Sequence, residues 1–299
     1  MPELPEVETI RRDLAAKIVG RKITSVNILS PKTASHPAAF FVKALAGRHI
    51  TKVERRGKLL ILALSASRSE YFYLLIHLKM TGQLIYQDKT TKIAGGHSLG
   101  RASDDSFAAS VGGKLPNKHT RAIFNLASGG RLFFNDLRKF GYLKLATEAE
   151  LARILKNNYG PEPLSPDFSL PFLTTRLLGK TIKIKAFLLD QKMIAGLGNI
   201  YVDESLWAAG VRPNRAAGSL KNAEVKKLRQ EINRIIKLAI KHRGTTFNNY
   251  VDSRGRHGNF SCFLKVYGRG GEKCPNCGSP VAKIKIAGRG THYCPSCQK

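Results

Sequence analysis

The chain has 299 residues, of which 50 are Lys or Arg and 21 are Asp or Glu, giving a formal charge of +29 with a hydrophobic share of 42%. That share belongs to a folded protein, so the positive excess is a surface that attracts polyanions, nucleic acid first, and not a disordered basic tail. No apolar run reaches the ~18 residues of a spanning helix, the N-terminal stretch is acidic, and four of the five cysteines stand as two C-x-x-C pairs. A membrane protein, a secreted protein and a disulfide framework are therefore not expected, and a reducing cytosol fits.

The first nine residues read Met-Pro-Glu-Leu-Pro-Glu-Val-Glu-Thr. With Met1 removed, Pro2 presents a secondary amine. An α-amino group with a pKa near 8 is roughly a tenth free base at pH 7, far more than a lysine. Such an amine is a usable nucleophile, and its attack on an aldehyde carbon gives an iminium that cannot discharge by losing a proton from nitrogen. Glu3 beside it suits general acid or base work. The same residues also suit a helix start, with Pro in the first turn and acids at the positive end of the dipole.

Val7, Ile10, Leu14 and Ile18 have helical spacing and predict an amphipathic helix over 6–18. Strands are predicted at 22–29, 49–55, 58–64 and 71–79, with a short helix over 40–45. Further strands are expected at 84–87, 122–126, 131–135 and 142–145, the pattern of a β-sandwich or barrel. Residues 88–118 are rich in Gly, Ser and Lys and are expected to form a mobile loop. Thr147-Glu-Ala-Glu150 is a capping box opening a helix through Leu155. Gly160, Pro161, Pro163 and Pro166 then mark a domain boundary.

The second half reads as helical: 172–178, 186–189, about 201–209, and a long helix whose buried face carries Val225, Leu228, Ile232, Ile235, Ile236 and Ala239. Gly196-Leu-Gly-Asn199 lies between two of these helices, the general form of a helix-turn-helix unit. Its glycines let a backbone approach a phosphate, and Asn199 can donate from the helix start. Cys274-Pro-Asn-Cys277 and Cys294-Pro-Ser-Cys297 have the spacing of a tetrahedral all-cysteine zinc site. Between them a hairpin is expected, 281–286 and 291–293, with Gly288-Arg289-Gly290 at its tip as a phosphate or minor-groove finger. Cys262 and His292 are expected to be packing or surface residues.

Several islands resemble one family: Met1–Thr9, Arg56-Gly-Lys58-Leu-Leu, His77-Leu-Lys-Met80-Thr-Gly, Asp136-Leu-Arg138-Lys-Phe140-Gly, Gly160-Pro-Glu-Pro-Leu164, Ala195-Gly-Leu-Gly-Asn-Ile-Tyr-Val-Asp-Glu204, Val266-Tyr-Gly-Arg269 and the terminal cysteine element. In order and spacing they are similar to formamidopyrimidine-DNA glycosylase, over essentially the whole chain except 88–118. The resemblance implies an α+β multidomain fold: an N-terminal β-sandwich flanked by helices, a helix–two-turn–helix domain and a C-terminal β-hairpin zinc finger. The corresponding boundaries are 1–156, a linker over 157–168, 169–262 and 263–299.

It implies base-excision repair of damaged double-stranded DNA by a monomer with one structural zinc. The family removes 8-oxoguanine and formamidopyrimidines and nicks the strand by β,δ-elimination. Carried over by position, Pro2 is the nucleophile on the sugar C1′ and Glu3 the acid or base. Lys58 donates the proton in β-elimination and Arg289 in δ-elimination. His77, His119, Arg138, Lys180 and Asn199 fall at DNA-contacting positions. Met80, Arg138 and Phe140 match the residues that fill the gap left by the extruded base and read the opposite cytosine. The chemistry suits those types: a base must leave the stack before it is attacked, its vacancy needs a filler, Met and Phe are apolar wedges, and Arg donates twice to a base edge.

The sequence departs from the family's habit at Lys118-His-Thr-Arg121, where Lys-His-Asp-His is more usual, in the insertion at 88–118, and in 258–263, which would enclose the extruded base. Two other readings stay open: an endonuclease VIII-like enzyme for oxidised pyrimidines, against which Arg138-Lys-Phe140-Gly argues, and a non-enzymatic zinc-ribbon DNA binder, which leaves Pro2, Glu3 and Lys58 without a purpose.

Overall fold

A computed structural model of the chain describes residues 2–65, 72–99, 106–245 and 260–299. It divides into two compact units, Met1–Leu155 with His242–Asn259, and Lys156–Lys241 with Phe260–Lys299.

The first unit opens with α1 (Leu4–Ile18), two residues earlier than the apolar spacing predicts because Glu3 and Glu6 close a capping box. The Glu3 N–H donates to Glu6 Oε2 at 2.8 Å. The predicted stripe of Val7, Ile10, Leu14 and Ile18 is fully buried, each side chain contributing roughly 1.5–3 kcal/mol. Then come β1 (Ile23–Ile28), α2 (Ala38–Leu45), β2 (Ile50–Arg56), β3 (Leu59–Leu64), β4 (Phe72–His77) and β5 (Gly82–Gln87). Tyr71, the expected start of β4, lies outside the described residues. The unit continues with β6 (Lys92–Gly96), α3 (Phe107–Val111), β7 (Thr120–Leu126), β8 (Arg131–Asp136), β9 (Tyr142–Ala146) and α4 (Glu148–Asn158).

One antiparallel sheet runs β1-β7-β8-β5-β6 and the other β2-β3-β4-β9. Side chains from both, including Leu62, Ile76, Leu84, Phe124, Phe134 and Leu145, form one core into which α1 and α2 also pack. This is the expected sandwich flanked by helices. The capping box before α4 is present, Thr147 N–H to Glu150 Oε2 at 3.0 Å and Glu150 N–H to Thr147 Oγ1 at 3.2 Å.

The stretch 88–118 is not the expected mobile loop in its described part. Its β6 pairs with β5, from Gln83↔Gly96 to Gln87↔Lys92. Its α3 covers a second small core, Ile85, Ala94, Val111, Ile123 and Phe133, with Phe107 and Leu115 against it. The sheet side chains Gln83 and Asn135 donate to the α3 carbonyls of Ser110 and Val111 at 2.9 and 3.3 Å. A few apolar residues suffice because the segment only has to cover an existing sheet face.

The second unit contains α5 (Leu170–Leu177), α6 (Ile184–Leu189), α7 (Asn199–Ala209), α8 (Asn222–Lys241), β10 (Ala282–Ile286) and β11 (Arg289–Tyr293). The long helix α8 buries the six residues that its spacing singled out. The Gly-Pro-rich segment is held within this unit. Gly160 N–H donates to the Gln191 carbonyl at 2.8 Å, and Ala195 N–H to that of Pro161 at 3.0 Å. The hairpin tip differs from expectation: Ala287 and Gly288 form the two-residue turn, with φ of 48° and 72°. Arg289 is instead the first residue of β11, paired with Ile286. A two-residue turn with positive φ at both centres matches the strand twist better than a three-residue tip. No helix of the described residues is long and apolar enough to cross a membrane.

Candidate active site and zinc centre

Pro2 and Glu3 stand immediately before α1, and both are buried, Glu3 to 3% exposure. Glu6, one turn on, holds this end of the chain from two sides. Its Oε2 takes the Glu3 N–H, and its Oε1 takes the Thr245 N–H at 2.7 Å and the Thr245 hydroxyl at 3.1 Å. Further along the helix, Asp13 pairs with Arg243 at 2.6 Å. The segment 242–245 is thus pinned along α1 by two carboxylates that the sequence pattern did not single out.

Lys58 lies in the turn between β2 and β3 and is buried, at 6% exposure. A chain of contacts ties that turn to α1. Glu8 accepts from Arg55 Nε at 3.1 Å, and Arg55 Nη1 donates to the Gly57 carbonyl at 3.0 Å. Glu8 also takes Arg11 and Arg12 at 2.8 and 2.7 Å. Burial alone would raise its pKa, but the three guanidiniums win and hold it at about 2. A fixed anion therefore anchors the turn that presents Lys58 to the helix that Pro2 and Glu3 immediately precede. Glu8 and Arg55 were missed at the sequence level, since a contact across 47 positions leaves no local pattern.

The other candidates in this unit lie on three loops and at the end of one strand. Burial, reinforced by the charges of Lys79 and Lys58, pushes the His77 pKa down to about 3. His77 is neutral and its Nδ1 accepts the Lys79 N–H at 3.0 Å, which leaves Nε2–H as a donor and no positive charge for a phosphate. Met80 is half-buried. Phe140 is 54% exposed, and the Arg138 guanidinium lies 4.9 Å from its ring centre, a cation over an aromatic face. Burial, then Lys118 and Arg121, lowers the His119 pKa.

In the second unit Lys180 and Arg289 are exposed. Asn199 begins α7, but its amide Nδ2 donates to the Gly290 carbonyl at 2.8 Å. That bond joins the glycine turn to the strand bearing Arg289, so the amide is already engaged within the protein. Gln191 staples the turn, accepting the Gly196 N–H at 2.8 Å and donating to Leu197 O at 2.9 Å. Of the stretch 258–263, residues 258 and 259 lie outside the described residues.

The sulfurs of Cys274, Cys277, Cys294 and Cys297 all lie within 4.8 Å of one another. Cys274–Cys297 and Cys277–Cys294 are 3.9 and 3.4 Å apart, near the about 3.8 Å tetrahedral edge set by a Zn–S bond of ~2.3 Å. Asn276 Nδ2 donates to Cys297 Sγ at 3.2 Å. Four thiolates in this arrangement hold one structural zinc. Its removal by a strong chelator is expected to melt β10–β11 and abolish nucleic-acid binding while the sandwich stays folded, because metal-binding free energy is folding free energy in so small an element. Amide exchange read separately for 282–293 and 59–64 checks this, and hairpin protection retained without zinc would contradict it.

Comparisons with known proteins span nearly the whole chain. Residues 1–143 match the family described as the formamidopyrimidine-DNA glycosylase N-terminal domain. Residues 159–250 match the formamidopyrimidine-DNA glycosylase H2TH domain, and 271–299 the zinc finger found in FPG and IleRS. The formamidopyrimidine-DNA glycosylase of Moorella thermoacetica is 41% identical over 286 residues, 95% of this chain and 94% of its own. That of Heliobacterium modesticaldum is 43% identical over 285 residues with the same coverage of each, 95% and 94%. Among solved structures, a point mutant of the Lactococcus lactis FPG in complex with DNA containing Fapy-dG aligns with a TM-score of 0.84 at 37% identity over 100% of both chains. The wild-type Lactococcus lactis protein with oxidised-pyrimidine DNA aligns at 0.82 and 36%, again over 100% of both.

Proposed function

The chain belongs to the formamidopyrimidine-DNA glycosylase family, and from that premise we propose that its processed N-terminus, Pro2, is the nucleophile with which it excises damaged bases. It is a base-excision repair glycosylase acting on damaged DNA, and strand cleavage at the resulting abasic site is a property of its family. The Pro2 nitrogen attacks C1′ of the damaged nucleotide and the base departs with the electrons of its bond to C1′; the C1′–O4′ bond then opens as O4′ takes a proton, and the ring-opened sugar is left as an iminium on Pro2. Glu3 handles the proton at the sugar, Lys58 donates in β-elimination and Arg289 in δ-elimination. Met80, Arg138 and Phe140 fill the vacancy, while His77, His119, Lys180 and Asn199 belong to the DNA-facing set, Asn199 by holding the Arg289 strand.

One observation supports this most: Pro2 and Glu3 are buried at the head of a helix whose Glu8, through Arg55 and Gly57, anchors the turn carrying Lys58. Guanidiniums gathered around a buried acid, tied to a turn that carries a buried lysine, are costly to build for shape alone. The catalytic domain is taken as 1–156, the linker as 157–168, the helix–two-turn–helix domain as 169–262 and the zinc finger as 263–299. The enzyme works as a monomer in the cytoplasm, associated with the nucleoid through DNA.

Borohydride reduction during turnover of an 8-oxoguanine:cytosine duplex is expected to trap a covalent adduct, and peptide mapping is expected to place it on Pro2. An adduct on a lysine, or none from protein confirmed to begin at Pro2, would refute the assignment. Oxidised pyrimidine is the second reading, because the Lactococcus relative has been seen with such DNA. Thymine glycol cleaved faster than 8-oxoguanine would favour it, and binding with no nicking would favour a non-enzymatic protein.

A further inference from the structure

We propose that Thr81 and Asp136 are positioning residues that lock together the two loops carrying Met80, Arg138 and Phe140, and thereby set how strictly the base opposite the lesion is read. The inference rests on the gap-filling reading of those three residues given above.

Asp136 ends β8 with a carboxylate that is 1% exposed, and Thr81 follows Met80 at 7%. The Thr81 hydroxyl donates to Asp136 Oδ1 at 2.5 Å and accepts the Arg138 N–H at 2.9 Å. The same Arg138 N–H lies 3.2 Å from Asp136 Oδ1, and Oδ2 accepts the Gly141 N–H at 2.7 Å. One carboxylate therefore closes the 136–141 loop on itself at both ends, and one hydroxyl fastens the Met80 loop to it. The Asp136 N–H also donates to the His119 carbonyl at 2.9 Å, which ties the turn before β7 to the same point.

Two features mark the backbone beside this joint as tightly constrained. Lys79, just before Met80, has φ 50°, and Lys139, between Arg138 and Phe140, has φ 59°. A left-handed backbone at a residue other than glycine is strained and persists only where surrounding bonds impose it. Each strained lysine is adjacent to a gap-filling residue. The loops also approach closely: a Cβ on Gly141 would sit 2.7 Å from the Phe134 ring, 3.0 Å from the His77 carbonyl and 3.1 Å from Asp136 Oδ2. The tips, exposed at Arg138 and Phe140 and half-buried at Met80, can then enter a duplex without ordering themselves first, because the roots of their loops are fixed by buried bonds. Neither Thr81 nor Asp136 need touch the DNA.

Thr81→Val removes the hydroxyl at nearly constant volume. It is expected to slow excision from an 8-oxoguanine:cytosine duplex about tenfold or more, since misplacement by ~1 Å costs up to about a hundredfold. It is also expected to collapse the preference for cytosine over adenine opposite the lesion. Nicking of a preformed abasic site in a single-stranded oligonucleotide, which has no opposite base and no vacancy to fill, should stay within about twofold. Thr81→Ser, which restores the hydroxyl, should restore both the rate and the cytosine preference. An unchanged cytosine:adenine ratio in Thr81→Val overturns the proposal. So does an equal loss on the single-stranded substrate, which would mark mere damage to the fold. Met80→Ala and Arg138→Ala serve as the reference: if they too leave the ratio unchanged, the gap-filling reading is what fails; if they change it and Thr81→Val does not, only the positioning role fails.

Discussion

Replacing Glu3 by glutamine is expected to lower base excision by about 10²–10⁴-fold, the usual contribution of a positioned acid–base group, with DNA affinity and thermal stability nearly intact. The substitution is informative because Glu3 has two jobs. It caps α1 reciprocally with Glu6, and in the proposed chemistry it moves a proton at the sugar. A glutamine side-chain oxygen still accepts the backbone N–H of the capping box, and the Glu3 N–H bond to Glu6 belongs to the backbone. The structural job therefore survives and the chemical one does not. Single-turnover excision of 8-oxoguanine, measured beside binding to an uncleavable abasic analogue, separates them. If excision is as intact as stability and binding, the carboxyl moves no proton and Glu3 is only a cap. The Glu6 contacts to Thr245 predict in addition that the variant keeps the 242–245 segment in place.

What the sequence made legible divides along physical lines. Helix α8 is readable because one face packs on the rest of its unit and the other meets solvent, so burial repeats at the helical period from Val225 to Ala239. The sandwich strands are readable for the matching reason, and the zinc site because ligand spacing is local. Strand β6 is not readable. Its Gly95 resembles a loop signal, yet it is required there because Ile10 of α1 packs against it, and a Cβ would come within 2.4 Å of that side chain. A glycine demanded by close approach and one demanded by a turn look identical in a sequence. The candidate site splits the same way. Pro2, Glu3, Lys58 and the three residues proposed to fill the gap stand out through contiguous motifs. Thr81 and Asp136, 55 positions apart, and Glu8 with Arg55 are joined only by the fold, and a hydroxyl–carboxylate or acid–arginine contact at that separation has no signature along the chain.

Lys185→Met is expected to destabilise the second unit by about 3–5 kcal/mol, the cost of stripping one partner from a buried ion pair. For a protein of this size that corresponds to a fall in melting temperature of very roughly 6–20 °C. Lys185 and Asp203 are both 0% exposed, with Nζ 2.6 Å from Oδ1. Lys185 also donates to the Gly290 carbonyl at 3.1 Å, and Asp203 Oδ2 accepts the His292 N–H at 2.9 Å. The pair thus grips β11, which begins at Arg289, at its second and fourth residues. Without the ammonium, the Asp203 carboxylate keeps a single backbone donor in surroundings that exclude water. The double variant Lys185→Met with Asp203→Leu removes that stranded charge and is expected to recover part of the loss. It cannot recover all of it, because the His292 N–H is then left without an acceptor at a cost of about 1–3 kcal/mol. Gly290 O, by contrast, keeps the Asn199 amide at 2.8 Å. The expected order of stability is therefore parent, double variant, single variant. A double variant as unstable as the single one would show that the two charges are not coupled. In the proposed chemistry a further consequence follows for Arg289. In the single variant the product of β-elimination should accumulate ahead of the δ-product, while trapping at Pro2 is unaffected, because the group that loses its support is the one assigned to the last step alone.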